Sequence, residues 1–178
     1  MVSYYRASWQ WGSSIDFWDV GPQMLPVGEH TPEEWQRVHQ EAKKRGSIEL
    51  DCDYINGAMF SPNGSMIGVS YHYPALYSFP AKKLLWTFGP NGQLIESSNL
   101  RGRIDYARLW TKPVFTPDSR SMLCGSPDGV IFRWDVKSGR MLDKTQAHKG
   151  RVLDISLSSG GKTLASCGAD DLLKTWTI

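Results

Sequence analysis

Three residues near the end of the sequence have the side chains of a nucleophilic hydrolase: His148, Ser166 and Asp170. In that chemistry a histidine takes the proton of a serine hydroxyl, and a carboxylate orients the imidazole. The same side chains can instead form a buried scaffold, because a carboxylate in a tight turn accepts hydrogen bonds from backbone N–H groups and from an imidazole. Trp176 follows shortly after and adds a large ring with one N–H donor. We favour the scaffold and predict no catalytic residue.

Other residue patterns that could support chemistry are weak. None of the four histidines has metal-ligand spacing with another histidine or with a cysteine. The segment SSGGKT (158–163) ends like a phosphate-binding loop, but Ser156 stands where that loop requires its leading glycine. We therefore predict neither a metal ion nor a cofactor, and no enzyme.

Composition and charge argue against several classes of partner. Lys and Arg number 20 and Asp and Glu 18, so no concentrated basic face for nucleic acid or an anionic membrane is indicated. No apolar run approaches the ~18 residues of a membrane helix, and no secretion signal is evident at the start. The three cysteines lack close spacing, which favours packed thiols and a reducing, cytoplasmic setting.

The elements that position these residues come from a repeat. Shifting the sequence on itself by 42 positions aligns FTPDSRSMLCGSPDGVIFRWDV (115–136) with LSSGGKTLASCGADDLLKTWTI (157–178) without a gap, and places Trp134 on Trp176. A period in the low forties with this tryptophan predicts one propeller blade per repeat. Within each unit the pattern is strand, turn, strand, tight Asp turn, strand.

Two weaker copies lie upstream. FSPNGSMIGVSYHYPALYSFP (60–80) matches the first of those segments with an offset of 55 and keeps a Ser-Pro-Asn-Gly turn. RASWQWGSSIDFWDV (6–20) matches it with an offset of 116 and keeps a Trp-Asp pair. The repeat therefore extends over most of the chain, with insertions between its copies.

These repeats resemble the WD-repeat β-propeller family, most specifically over 105–178. In that family a His in the loop before the blade, a Ser or Thr on the second strand, the turn Asp and the strand Trp form a hydrogen-bonded tetrad. The resemblance implies a full tetrad in the last repeat and partial ones in two others: His148, Ser166, Asp170 and Trp176, then Asp128 and Trp134, then Ser8 and Trp18.

The expected fold is all-β, an incomplete and open WD-repeat propeller of four-stranded blades over residues 1–178 with one inserted helix. We expect the blade units at about 4–28, 51–90, 105–143 and 147–178. The inserted helix is expected over 31–46, because Thr31 and Glu34 form a capping box and basic residues precede Gly46. That helix lies against the propeller rim or docks a partner.

The resemblance also implies a function, a non-enzymatic scaffold that binds a protein or peptide on a propeller face. Frequent contact positions of the family fall on Tyr54, His72, Leu109, Arg151 and Leu153. The alternative is a truncated regulatory or sensor propeller from a larger enzyme such as a kinase. Because the repeats are too few to close a ring, we expect the rest of a larger propeller, or another chain, to cover the open blade edges.

Overall fold

The structure is a computed structural model that describes residues 2–6, 13–19, 31, 33, 43–50, 55–96 and 109–178. The regular elements of this part are fourteen β-strands: β1 (Val2–Arg6), β2 (Ser13–Asp19), β3 (Lys43–Leu50), β4 (Gly57–Phe60), β5 (Met66–Ser70), β6 (Pro74–Ser78), β7 (Leu84–Thr87), β8 (Val114–Phe115), β9 (Ser121–Gly125), β10 (Val130–Asp135), β11 (Met141–Gln146), β12 (Val152–Leu157), β13 (Thr163–Gly168) and β14 (Leu173–Thr177).

The strands form four antiparallel sheets in which neighbours in the chain are neighbours in space. The first sheet is β1-β2-β3, the second β4-β5-β6-β7, the third β8-β9-β10-β11 and the fourth β12-β13-β14. The chain divides into two compact units, Met1–Asp53 with the first sheet and Tyr54–Ile178 with the other three. The all-β class is confirmed, and so is its agreement with a WD-repeat propeller: all four sheets are antiparallel, two with four strands and two with three in the described residues.

The predicted inserted helix is not shown. Lys43–Gly46, expected as its last turn and stop, belong instead to β3, and most of 31–46 lies outside the described residues. Gly46 has a φ of 124° and pairs with Phe17 beside a bulge in the β2–β3 ladder. A glycine after basic residues suits a helix end, but it equally suits a bulge, and pairing with β2 gives the backbone of this segment its hydrogen bonds.

One turn recurs in three sheets of the second unit. It follows β4, β8 and β12, and its left-handed residue is Gly64, Ser119 or Gly161, with φ of 71°, 60° and 70°. In each turn a Ser or Thr hydroxyl accepts a hydrogen bond from the backbone N–H five residues later: Ser61 accepts from Met66, Thr116 from Ser121 and Ser158 from Thr163. The offsets of 55 and 42 found in the sequence therefore correspond to real structural equivalence.

The second, third and fourth sheets stack face to face. Between the second and third lie Leu76, Phe88, Trp110, Phe115, Met122, Cys124, Phe132, Trp134 and Val136. Between the third and fourth lie Leu123, Ile131, Ala147, Val152, Ile155 and Leu164. Along β9 and β10 successive side chains alternate between these two cores, as a strand buried on both faces requires.

Candidate functional site

Because neighbouring strands are antiparallel, the connections between strands alternate between the two ends of a sheet. In the second, third and fourth sheets, the segment before the first strand and the turn between the second and third strands lie at the same end. This upper end comprises residues 55–56, 71–73, 109–113, 126–129, 147–151 and 169–172, and the lower end comprises 61–65, 79–83, 116–120, 136–140 and 158–162. The Asn56 amide donates to the carbonyl of Trp110, and the Val152 N–H donates to the carbonyl of Ser126 at 3.1 Å. These bonds join the upper ends of successive sheets into one surface.

The structure brings His148, Ser166, Asp170 and Trp176 together in the fourth sheet. His148 Nδ1 lies 2.8 Å from Asp170 Oδ1, and His148 Nε2 lies 2.8 Å from Ser166 Oγ. The Trp176 indole N–H donates to the same Ser166 Oγ at 2.9 Å. The set therefore ties the loop before β12 to the middle of β13, to the β13–β14 turn and to β14.

Charge and proton positions in this tetrad follow from its contacts. Burial raises the pKa of Asp170, but hydrogen bonds from the Lys149 backbone N–H and from His148 outweigh it and bring the pKa to about 2. The carboxylate is thus ionised and accepts from His148 Nδ1–H, which leaves Nε2 as the acceptor for the Ser166 hydroxyl. Ser166 in turn accepts from the indole, so each donor within the tetrad has an acceptor.

The contacts reproduce those of a hydrolytic triad, but without access for a substrate. Ser166 and His148 are each only 2% exposed, and the serine hydroxyl already serves both His148 and Trp176. A nucleophile needs a free approach for the carbonyl it attacks and a nearby oxyanion site. The arrangement therefore stabilises the fourth sheet by joining its strands and loops through hydrogen bonds.

The equivalent positions of the third sheet make different contacts. Trp134 is fully buried, and its indole N–H donates to the carbonyl oxygen of Gly92 at 2.7 Å, in the turn after β7. Where the fourth sheet has Ser166, the third has Cys124, whose thiol donates to the Thr111 carbonyl at 2.9 Å. Asp128 is exposed. Trp134 is therefore bonded to the turn that follows the second sheet and not to its own sheet, whereas Trp176 is bonded to Ser166 within the fourth sheet.

A second indole makes the reverse contact. Trp86 of β7 donates its N–H to the Val136 carbonyl at the end of β10, at 3.0 Å. β7 and the hairpin after it, which is closed by the pairing of Phe88 with Leu94, are therefore bonded to the third sheet by one hydrogen bond in each direction. The sequence pattern assigned this hairpin no role.

The predicted partner-binding residues are placed unevenly. His72, Leu109 and Arg151 are half-buried at the upper end, and Leu153, two residues into the fourth sheet, is 48% exposed. We call these four residues the upper-end surface. Tyr54, Ser8 and the side chain of Trp18 lie outside the described residues.

Two polar side chains that the sequence did not single out stabilise the upper end of the fourth sheet. Gln146 Nε2 donates to the carbonyls of Asp128 at 3.0 Å and of His148 at 2.8 Å. Lys174 Nζ donates to the Ala147 carbonyl at 2.6 Å and lies 6.0 Å from the centre of the Trp176 ring. Both hold the loop that carries His148 and Arg151.

A metal site and a membrane-spanning helix are both absent from the described part of the chain. No group of three His, Cys, Asp or Glu side chains there is arranged to hold a metal ion. No helix among those residues is long and apolar enough to cross a membrane.

Comparison with known proteins points to one family. The family described as "WD domain, G-beta repeat" matches residues 139–177, which contain the fourth sheet and its tetrad. A "p21-activated protein kinase-interacting protein 1-like" of Xenopus laevis is 39% identical over 57 residues, 32% of this chain and 16% of that protein. The "Periodic tryptophan protein 2 homolog" of Schizosaccharomyces pombe is 32% identical over 87 residues, 48% of this chain and 10% of that protein.

A plant protein, "Protein SPA1-RELATED 3" of Arabidopsis thaliana, is 40% identical over 52 residues, which are 29% of this chain and 6% of that protein. The matched segments thus span less than a fifth of each of these relatives. Family match, repeated turns and stacked antiparallel sheets agree with one another. Residues 139–177 are a WD40 repeat, and the resemblance of the chain to the WD-repeat β-propeller family is confirmed.

Proposed function

We propose that this chain is a non-enzymatic scaffold that binds a protein or peptide through its upper-end surface. The observation that carries the proposal is the position of Arg151 and Leu153 directly after a loop that the tetrad fixes in place. Side chains on loops held by rigid sheets bind with little loss of conformational entropy. WD-repeat proteins as a family serve protein–protein interaction, which supports the same conclusion.

The residue types on the upper-end surface suit an interface. Arginine is among the residue types that contribute most when a partner covers them, and an exposed leucine adds apolar area. Arg151 and His72 flank the third sheet from opposite sides, since one belongs to the fourth sheet and the other to the second. A partner that contacts both crosses three successive sheets.

The test is affinity capture from cell extract with paired variants. The upper-end variant Arg151→Ala/Leu153→Ala should capture at least about tenfold less of the partner than the wild-type chain, as loss of a central arginine does at protein interfaces. The lower-end variant Lys137→Ala/Lys162→Ala removes two exposed lysines and should capture as the wild type does. Capture that survives the upper-end variant and is lost in the lower-end variant contradicts the proposal.

We also propose that another chain, or a further segment of a longer protein, covers the free edge of β14. In the described part of the chain β14 pairs only with β13, and Leu173 on this strand is 76% exposed. An unpaired edge with an exposed leucine favours strand addition. Light scattering tests this. The wild-type chain should associate with itself and Leu173→Lys should reduce that association, whereas a stable 20.1 kDa monomer contradicts the proposal for the chain alone.

A further inference from the structure

Met141, the first residue of β11, is the most exposed methionine of the described residues. Its side chain is 40% exposed, whereas Met122 is fully buried and Met59 and Met66 are half-buried. The oxidation of a methionine thioether to a sulfoxide by a peroxide depends on how readily the oxidant reaches the side chain. Exposure alone therefore places Met141 ahead of the other three.

The sulfur of Met141 also lies at a contact between two sheets. Met141 pairs with Trp134 beside the bulge in the β10–β11 ladder. A Cβ added to Gly92 would lie 2.8 Å from Met141 Sδ and 2.6 Å from Phe132 Cδ1, so the thioether and the edge of the Phe132 ring both pack on Gly92. The carbonyl of Gly92 is the acceptor of the Trp134 indole N–H. Met141 thus covers the turn that bonds the hairpin after β7 to the third sheet.

Oxidation would change the polarity of this contact. A thioether is nearly apolar and packs well at the edge of an aromatic ring. A sulfoxide adds a polar oxygen, and a polar atom that is buried without a hydrogen-bond donor is costly. The Phe132 ring has no donor, and the N–H of Gly92 already donates to the Gly89 carbonyl at 2.9 Å. The sulfoxide oxygen is therefore more stable in water, which draws the side chain away from Gly92.

We propose that Met141 is a site of reversible oxidation by hydrogen peroxide, and that its sulfoxide loosens the contact between the second and third sheets. In this step the O–O bond of the peroxide breaks, one oxygen atom bonds to Sδ, and water leaves. The thioether is oxidised and the peroxide is reduced. A methionine sulfoxide reductase reverses the change with two thiols, which become a disulfide as the oxygen leaves in water. The inference goes beyond the scaffold function and does not depend on it.

The first measurement is the order in which the methionines are oxidised. The wild-type chain is treated with graded hydrogen peroxide, digested and examined by mass spectrometry. Met141 should gain oxygen at least about threefold faster than Met59 or Met66, because susceptibility follows exposure. Met122 should stay reduced until the chain unfolds.

The second measurement is the effect of oxidation on stability. After peroxide treatment and thiol reduction of the cysteines, the urea midpoint of the wild-type chain should fall by about 0.5 M, and sulfoxide reductase should restore it. Met141→Leu is the matched control, since leucine keeps the volume, cannot be oxidised and leaves every other methionine and cysteine in place. Its midpoint should not change with peroxide. Met141→Gln puts a polar amide at the same position and should lower the midpoint without peroxide.

Three results would overturn the inference. One is oxidation of Met59 or Met66 as fast as that of Met141. Another is an equal fall in the urea midpoint for the wild-type chain and Met141→Leu, which assigns the loss of stability to other residues. The third is complete oxidation of Met141 with an unchanged midpoint, which shows that the sulfur does not support the contact with Gly92. Partner capture enters none of these measurements, so the scaffold function is tested separately.

Discussion

The indole N–H of Trp134 donates to the backbone carbonyl of Gly92 at 2.7 Å and joins the third sheet to the hairpin that follows the second. The ring stacks on Phe88 with centroids 4.4 Å apart and on Phe132 with centroids 5.6 Å apart. Gly92 reaches this position with a φ of 79°, which a residue with a side chain rarely adopts. Contact between the two sheets therefore depends on a glycine as much as on the tryptophan.

Gly92→Ala should destabilise the chain through both backbone strain and crowding. An added Cβ would lie 2.6 Å from Phe132 Cδ1 and 2.8 Å from Met141 Sδ. The left-handed backbone costs an L-residue about 1–2 kcal/mol, and overpacking adds about 1–3 kcal/mol. Urea unfolding followed by tryptophan fluorescence measures the sum.

Gly64→Ala is the matched control for that substitution. Gly64 has a similar φ of 71°, but an added Cβ would meet nothing within 4 Å. This variant should lose only the backbone contribution, about 1–2 kcal/mol. Equal losses in the two variants contradict the close packing assigned to Gly92.

Ser166→Ala should lower the free energy of unfolding by about 1–3 kcal/mol, because the indole of Trp176 loses its acceptor and His148 Nε2 loses its donor. Ser156→Ala, at an exposed position on β12, should stay within about 0.5 kcal/mol of the wild type. Chemical denaturation of the two variants side by side decides the matter. A Ser166→Ala chain as stable as the wild type removes the structural role given to the tetrad.

Acid should weaken the fourth sheet through Asp170. Its pKa is about 2 in the folded chain and 3.8 when unperturbed, so the unfolded state binds the proton more tightly. The stabilisation by the ionised carboxylate is complete above about pH 4 and disappears as the pH falls toward 2. Denaturation midpoints between pH 5 and pH 2 should therefore fall more steeply for the wild type than for Asp170→Asn. Asp171→Asn removes the neighbouring exposed carboxylate and should follow the wild-type profile.

Sequence patterns predicted the fourth sheet well because the residues that define it recur at fixed spacing within one repeat. The turn Asp170, the strand Trp176 and the loop His148 keep fixed spacing, and the structure places them within hydrogen-bond distance of one another or of Ser166. Trp134 shows the limit. Its spacing matches that of Trp176, but its acceptor is a backbone carbonyl, and any residue type provides a carbonyl.

The end of the predicted helix failed for a related reason. A glycine after basic residues, as at Gly46, favours both a helix stop and a strand bulge, and only the pairing partner β2 distinguishes them. Local residue spacing therefore does not predict features that depend on contacts between distant parts of the sequence.

Thiol reactivity should separate Cys124 from Cys167, although the two cysteines lie near the same position of successive repeats. Cys124 is fully buried, burial raises its pKa to about 12, and its thiol donates to the Thr111 carbonyl. Cys167 is half-buried on β13 of the fourth sheet. Because the thiolate is the reactive form, Ellman's reagent should label Cys167 in the native chain and leave Cys124 unlabelled until the chain unfolds.

The experiment uses Cys52→Ser protein, with Cys124→Ser and Cys167→Ser added singly to assign each phase. Rapid native labelling of the Cys167→Ser protein would show that Cys124 is accessible, and would contradict the close packing of the second and third sheets around it.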